Sequence, residues 1–475
     1  MCLVATKLKT TKQKQPSILI LGAGPTGLGA AYRLQELGHK NFLILEKNKF
    51  VGGLATSFTD KNGFTWDIGG HVIHSHYKYF DQVFNKHILL HSYTLQREAW
   101  VWLYKKFIPY PFQYNLHYLP QKIQNECIEG LKNLKKNIAK LKSKERKSKS
   151  FLDWILENFG KGIANHFLIP QNIKTWGYPL ENLNYSWIGD RVAQINLKRT
   201  LKNIAEKKDD IAWGPNNLFH FPKKRGTRFI WEKIAKTIPK EKIQINNKVE
   251  KINREKKYVQ TANGQKYFYD SLITSIPLTK LLKKSKHPLT KKAQKNLVSS
   301  QVTIVGLGVK GKTLKKLKTK CWMYFPEKNI PFFRATVFSN YSKNNVPDHK
   351  NQWSLMLEIS QTKNTNFNNI GKLIDQVIDG AIQTKLIKNK NEVISTWKHT
   401  EKLAYPTPTI SRDLVIDNIL KTLQKEQIYS RGRFGAWKYE VGNMDHSFMQ
   451  GVEAVDNILN DKKEVTIWKP NQVNG

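Results

Sequence analysis

The stretch from Ser17 to His76 constrains this chain more than any other, because its glycines fall where a nucleotide-binding turn needs them. Ile18 to Leu21 is a short apolar run suited to a buried parallel strand, and Leu28 to Leu37 reads as a helix. Between them stands Gly22-Ala23-Gly24-Pro25-Thr26-Gly27. Gly22 permits the tight turn, Gly24 lets backbone approach a pyrophosphate, and Gly27 allows helix to pack closely on strand. The N-terminus of that helix offers free N–H groups and a positive end to phosphate. A second strand, Asn41 to Leu45, ends in Glu46, nineteen residues after Gly27, where a carboxylate accepts hydrogen bonds from an adenosine ribose. Strand, turn, helix and terminal acid together predict a dinucleotide ligand; a glycine turn of structural value alone is the competing reading.

A second glycine site follows at short range. Gly52-Gly53-Leu54 comes soon after the acid, and Trp66-Asp67-Ile68-Gly69-Gly70-His71 ends another strand-like run. This arrangement resembles the FAD-binding pattern of amine-oxidase-like flavoproteins, whose later glycines let the backbone pass against the flavin. The resemblance implies FAD in preference to NAD.

At 475 residues the chain suggests two or three domains and can bury a large cofactor. A formal charge of +42 invites a polyanion-binding reading, but only 12 of the 79 basic residues are arginine, and the lysines run through every segment. That pattern reads as a solvated surface and argues against a nucleic-acid partner. Where arginine persists under such a lysine bias, bidentate recognition is a physical reason for it. Cys2, Cys127 and Cys321 are far apart, which fits a reducing, cytoplasmic setting and offers no metal-ligand spacing, so no metal is expected. Residues 1–16 read as a flexible lead without the apolar core of a secretory signal, and no apolar run is long enough for membrane insertion. Oligomeric state is not legible.

The expected fold is α/β: a discontinuous Rossmann-like FAD-binding domain, a helical insertion domain and a second, antiparallel-sheet substrate domain. The FAD-binding parts are 17–103, 226–300 and 416–475, the insertion 104–225, and the sheet domain 301–415. Leu131, Leu134, Ile138 and Leu141 recur at helical spacing, and Lys142 to Ser150 reads as an exposed connection. Phe151 to Leu168 reads as a helix stopped at Pro170, and the breaker-rich stretch from Trp213 to Gly226 as a loop. Gln301 to Val309, Cys321 to Phe325, Phe332 to Phe338 and Gln352 to Ile359 are strand candidates. Thr365 to Lys385 follows as a helix, then Glu392 to Lys398 as a strand ending before Tyr405.

Arg191 and Arg334, with Tyr324, Tyr405 and Tyr439, suit a diphosphate: guanidinium groups give paired, charge-assisted hydrogen bonds, and phenols add neutral donors. Tyr110, Phe112, Trp176 and Trp322 offer flat faces to a nucleobase. Seven stretches then appear in one order: GGHVIHSHYKYF, PYPFQYN, NIKTW, WGPN, CWMYFPEKNIPFFRATVFSNYS, YPTPT and GRFGAWKYEVGNMDHSFMQGVEAVDNI. In these the chain resembles the UDP-galactopyranose mutase family, of the larger eukaryotic type, along almost its whole length.

The resemblance implies an isomerase that binds FAD, active when reduced, with NADPH as reductant and UDP-galactose as substrate. It implies attack of reduced FAD N5 on galactose C1, ring opening through an iminium, and reclosure to interconvert pyranose and furanose. It places Arg191 and Arg334 on the diphosphate with Tyr324, Tyr405 and Tyr439, and Tyr110, Phe112, Gln113, Asn172, Trp176 and Trp322 around the uridine. His71, Asn216 and Asn443 fall near galactose or flavin. Val249, Arg433, Met444 and Ser447 join Gly22, Gly24, Pro25, Thr26, Gly27, Glu46, Gly53, Leu54, Gly69 and Gly70 as cofactor-binding positions. Two residues depart from the family pattern: His74 stands where relatives carry phenylalanine, and Met444 where glutamine is common. The alternatives are a mutase for UDP-N-acetylgalactosamine or UDP-arabinose, and an FAD oxidoreductase of the amine-oxidase-like class, which shares the amino-terminal pattern.

Overall fold

The computed structural model describes residues 15–140, 148–211, 214, 217–361 and 370–474. Its central element is a five-stranded sheet in the order Ile428–Ser430, Ser271–Thr274, Ile18–Leu21, Phe42–Leu45, Ile243–Gln244, with every pair parallel. Both faces are covered, which is why these strands are continuous apolar runs. Ile18, Ile20, Ile44 and Ile273 point into one core, and Leu19, Leu21, Leu45 and Leu272 into another. The first core includes the helix Pro25–Glu36 and the long helix Met444–Asn460; the second includes Leu278–Lys284 and Arg412–Lys425. The strands of one sheet thus come from three separate parts of the chain, as a discontinuous nucleotide-binding unit requires.

A second, seven-stranded sheet runs in the order Val393–Pro406, Ser299–Lys310, Gln352–Gln361, Arg334–Val337, Trp322–Tyr324, Ala99–Leu103, Lys106–Pro109. Small residues have a purpose in its long strand: a Cβ on Gly306 would lie 2.7 Å from the Trp66 ring, and one on Gly308 would lie 2.6 Å from Phe64. The opposite face buries Val305, Leu307 and Val309 with Val377 and Ile378 of the helix Ile370–Gln383. The helical insertion packs Phe151, Ile155, Phe159, Ile163 and Trp176 around its own core. Among the described residues no helix is long and apolar enough to cross a membrane.

Several expectations need correction. The second sheet is mixed, because Trp322–Tyr324 pairs parallel with Ala99–Leu103, a strand assigned to the nucleotide-binding part. Pro170 does not end a helix. Phe151–Ile163, kinked at Gly160 where φ is +70°, leads through a π-helical segment, Ala164–Leu168, into Ile169–Trp176, whose second residue is Pro170. Leu218–Pro222 is a strand, not loop; it pairs antiparallel with Ser92–Gln96 and takes its proline at the strand's end. The strand Val393–Pro406 continues through Tyr405 because the long Ser299–Lys310 strand offers partners as far as Ser299. Most of the basic run from Lys142, and the start of the helix expected from Thr365, lie outside the described residues.

Candidate active site

Local sequence dictates the first end of the site. Gly22 adopts φ +102°, and its N–H donates to Leu45 O at 2.8 Å, turning the chain at the end of its strand. A Cβ on Gly27 would lie 1.8 Å from Gly22 O, so only glycine lets the helix start this close to the turn. No side chain caps that helix, whose N-cap is Gly24 and whose first turn holds Pro25. The Glu46 carboxylate is buried and oriented, accepting from Ala23 N–H at 2.7 Å and Asn48 N–H at 2.8 Å. Gly52 donates to Ala23 O at 2.8 Å, and a Cβ on Gly53 would come within 3.2 Å of Gly24 Cα. The two glycine sites therefore form one cradle, and Leu54 follows it at the surface of the second core. An uncapped helix end, closely approached backbone and an aimed carboxylate fit the pyrophosphate and ribose of FAD. Val249 opens the strand Val249–Asn253 and is buried. Met444 and Ser447, also buried, lie in the first turns of Met444–Asn460, behind Asn443 at its N-cap.

The other end is built from charge and aromatic rings. Arg334, on Arg334–Val337, makes a bidentate pair with Glu358 on the adjacent strand, Nε and Nη2 each donating at 2.7 Å. Burial works against this cation, but Glu358 outweighs it and holds the guanidinium well above the ordinary arginine range. Arg433 instead donates to two backbone carbonyls, Ala404 O at 3.1 and 2.9 Å and Gly442 O at 3.1 Å. It lies 5.3 Å from the Tyr405 ring and 5.7 Å from Tyr439. Arg191 is held by Trp187 O at 3.2 Å, Glu440 O at 2.6 Å and the Asn474 amide oxygen at 3.3 Å. Among the described residues, neither Arg191 nor Arg433 has a carboxylate partner. Each keeps a net charge for which neutral carbonyls supply only orientation.

Aromatic rings connect these groups. Trp176 packs against Tyr439 at 4.9 Å and Tyr405 at 6.1 Å, while Tyr405 and Tyr439 lie 5.9 Å apart. Tyr110 faces Tyr324 at 5.6 Å, and Trp322 donates its indole N–H to Tyr324 Oη at 3.0 Å. Burial raises the Tyr405 phenol to about 12, so it serves as a neutral donor. His71 lies at the arginine end. A Cβ on Gly70 would be 3.5 Å from Arg334 Nη2, one on Gly69 would be 3.4 Å from Glu358, and His71 Nδ1 is buried without a hydrogen bond. Burial, then the charges of Arg433 and Arg334, push the imidazole down to about 3 and keep it neutral.

Not every expected residue lies here as predicted. Phe112 is fully buried against Phe167. Gln113 is equally buried and spends its amide on Ala193 O at 2.6 Å, which fixes the backbone just beyond Arg191. Asn172 donates to Leu168 O at 2.8 Å within its own helix. Asn216 lies outside the described residues. The sequence reading missed Glu358 and Glu440, whose signal is a register across strands and a backbone carbonyl rather than a motif. It also passed over Asp445 and His446 inside GNMDHSF, where a buried carboxylate meets His76 Nδ1 at 2.7 Å and His446 Nδ1 at 3.2 Å. Among the described residues these side chains bring ligand-type atoms within 4.8 Å of one another, and His76 hydrogen-bonds to the carboxylate through its backbone N–H and Nδ1. A surface hollow of about 690 Å³, lined by Lys312, Lys318 and His349 among others, shares no residue with the cradle or the arginine end.

Known proteins place this geometry. The family model for flavin containing amine oxidoreductases matches residues 25–459. A crystal structure of reduced UDP-galactopyranose mutase superimposes with a TM-score of 0.93 at 43% identity, over 98% of both chains. A CLA-producing fatty acid isomerase from P. acnes shares the fold at TM-score 0.62 and 15% identity, over 94% of this chain and 99% of that one. The 4,4'-diapophytoene desaturase of Staphylococcus haemolyticus (strain JCSC1435) is 48% identical over 56 residues, which span 12% of this chain and 11% of that protein. The desaturase match covers 56 residues, whereas the mutase match runs through both glycines and arginines. The chain belongs to the flavin containing amine oxidoreductase family and, within it, to the UDP-galactopyranose mutases.

Proposed function

We propose that this protein interconverts UDP-galactopyranose and UDP-galactofuranose with FAD bound in the glycine cradle. The observation that carries the reading is the arginine end: Arg191 and Arg433, both held by carbonyl oxygens alone, border an aromatic wall of Trp176, Tyr405 and Tyr439. An amine or a polyene has no use for two uncompensated cations; a nucleoside diphosphate does. Gly22, Gly24, Gly27 and Glu46 would hold the cofactor's pyrophosphate and ribose, with His71, Asn443 and Met444 near its ring system. Reduced FAD supplies a nucleophile for the sugar's C1. The chain's own residues bind and orient. Arg191 and Arg334 stabilise the charge on departing UDP, one such contact being worth about 3 kcal/mol in a transition state. Tyr324, Tyr405 and Tyr439 donate neutral hydrogen bonds to phosphate oxygens, and Tyr110 and Trp322 border the base. Neutral His71 adds no cation that would compete with these arginines for the phosphate. The indole and phenol rings would exclude water from the sugar, which favours closure by its own hydroxyl over hydrolysis.

Incubating the FAD-loaded protein with UDP-galactofuranose, once reduced with dithionite and once oxidised, tests the proposal. UDP-galactopyranose should form only in the reduced sample; no conversion in either state overturns it. By resemblance to the eukaryotic-type mutases the reductant is NADPH, and bleaching of the flavin absorbance by anaerobic NADPH checks this.

A further inference from the structure

Arg191 is anchored by a side chain far away in sequence. Asn474 ends the short helix Pro470–Asn474 and is 5% exposed. Its amide nitrogen donates twice, to Glu440 O at 3.1 Å and Pro470 O at 3.0 Å, which fixes the orientation of the amide plane. The amide oxygen must then face the other way. There it accepts from Arg191 Nη2 at 3.3 Å and meets His446 Nε2 at 3.0 Å. Since Oδ1 cannot donate, His446 Nε2 carries a hydrogen, and the ring's Nδ1 lies 3.2 Å from the Asp445 carboxylate. His446 is fully buried.

The second anchor is equally rigid. Glu440 O takes Arg191 Nη2 at 2.6 Å, and the Glu440 carboxylate is clamped by Arg412 at 2.9 and 2.8 Å. Both groups on Nη2 are thus neutral oxygens on fixed supports. Arg191 uses these and Trp187 O, leaving Nε–H and one Nη1–H for a ligand. An aspartate at position 474 would lose both amide donations and neutralise the guanidinium, as Glu358 does for Arg334.

We propose that Asn474 is a positioning residue for the diphosphate: it fixes Arg191 through its amide oxygen while leaving the arginine's charge uncompensated. The proposal rests on the reading that Arg191 binds the diphosphate, and the test separates the two. UDP affinity of the oxidised, FAD-loaded protein is measured by calorimetry for wild type, Arg191→Ala, Asn474→Ala and the double variant. Removing a hydrogen bond to a charged group corresponds to about tenfold in affinity, so Asn474→Ala should weaken UDP by about that factor and Arg191→Ala by more. The double variant should bind no more weakly than Arg191→Ala alone, because Asn474 acts only through the arginine. Additive losses, or unchanged affinity in Asn474→Ala beside a loss in Arg191→Ala, overturn the role of Asn474. Wild-type affinity in Arg191→Ala overturns the diphosphate reading instead. Should Asn474→Ala fail to retain flavin, the isosteric Asn474→Asp decides: it should bind UDP more weakly than wild type, with the difference absent in an Arg191→Ala background, and wild-type affinity in Asn474→Asp refutes the proposal.

Discussion

The glycine cradle and the arginine pocket are shaped by different forces. At the cradle, backbone touches backbone: a Cβ on Gly27 would sit 1.8 Å from Gly22 O, and one on Gly451 would sit 2.0 Å from Thr26 O. At the pocket, three arginines differ mainly in what holds them, a carboxylate for Arg334 and carbonyls for Arg191 and Arg433. Steric exclusion is absolute over tenths of an ångström, whereas charge compensation is graded. The cradle should therefore fail outright when altered, and the pocket should lose function in steps.

Gly27→Ala gives the largest expected effect. With no room for its methyl group the turn cannot close, so the purified protein should lose its bound flavin or fail to fold, read from the absorbance of the flavin. Gly38→Ala is the control, because a Cβ there meets nothing within 4 Å. Its φ of +69° strains alanine by about 1 kcal/mol, and flavin content should be unchanged. Equal flavin in both variants would break the steric account of the cradle.

Arg334→Ala comes next. Loss of one transition-state contact should lower turnover about a hundredfold at saturating substrate. It should also lower stability, because Glu358, 1% exposed, is left as an unpaired buried carboxylate, a change of about 3–5 kcal/mol. Adding Glu358→Gln should restore most of the stability and none of the turnover. Near-normal turnover in Arg334→Ala would reduce this arginine to a structural ion pair and leave Arg191 and Arg433 to bear the phosphate.

The cradle was legible because its information is local: six consecutive residues specify the turn, and the acid follows its strand directly. The pocket was legible as a list of residue types but not as an arrangement. Arg334 and Glu358 meet only through strand register, and no motif records that pairing. Phe112 and Gln113 lie in the same quoted stretch as Tyr110, yet a 3-10 turn at Phe112–Tyr114 sends them into the core. Trp322–Tyr324 borrows a partner strand from more than 200 residues earlier, a contact that periodicity cannot foretell. A breaker misled for a related reason: Pro222 sits at the end of its strand, where the absent N–H is harmless.

A smaller effect is expected at His71. His71 is held neutral down to about 3 by burial and by Arg433 and Arg334. Its folded value lies below the ordinary imidazole range, so its contribution to stability is complete above that range. The contribution is lost as pH falls toward the folded value, because the unfolded chain binds a proton that the folded ring refuses. Between pH 7 and 5 the stability of the wild type should fall with a slope of up to one proton more than that of His71→Gln, measured by denaturant unfolding. Parallel slopes would mean that His71 is charged beside the arginines, contrary to the electrostatics of the pocket.

His74→Phe should change least. The His74 Nδ1 is buried with no hydrogen bond, and burial holds the ring down to about 4, so a neutral imidazole already fills the space that a phenyl ring would take. It packs edge-on to His76 at 5.3 Å, a contact that a phenyl ring can keep. Replacing it removes an orphaned polar atom, which should leave the melting temperature equal or higher by the equivalent of about 1 kcal/mol. Turnover of UDP-galactose relative to UDP-N-acetylgalactosamine and UDP-arabinose should stay within about threefold of wild type, as for a substitution that leaves volume and charge nearly constant. A large drop in stability would reveal a partner for Nδ1, and a change of sugar preference would make this ring, rather than the arginines, the selector of what the site accepts.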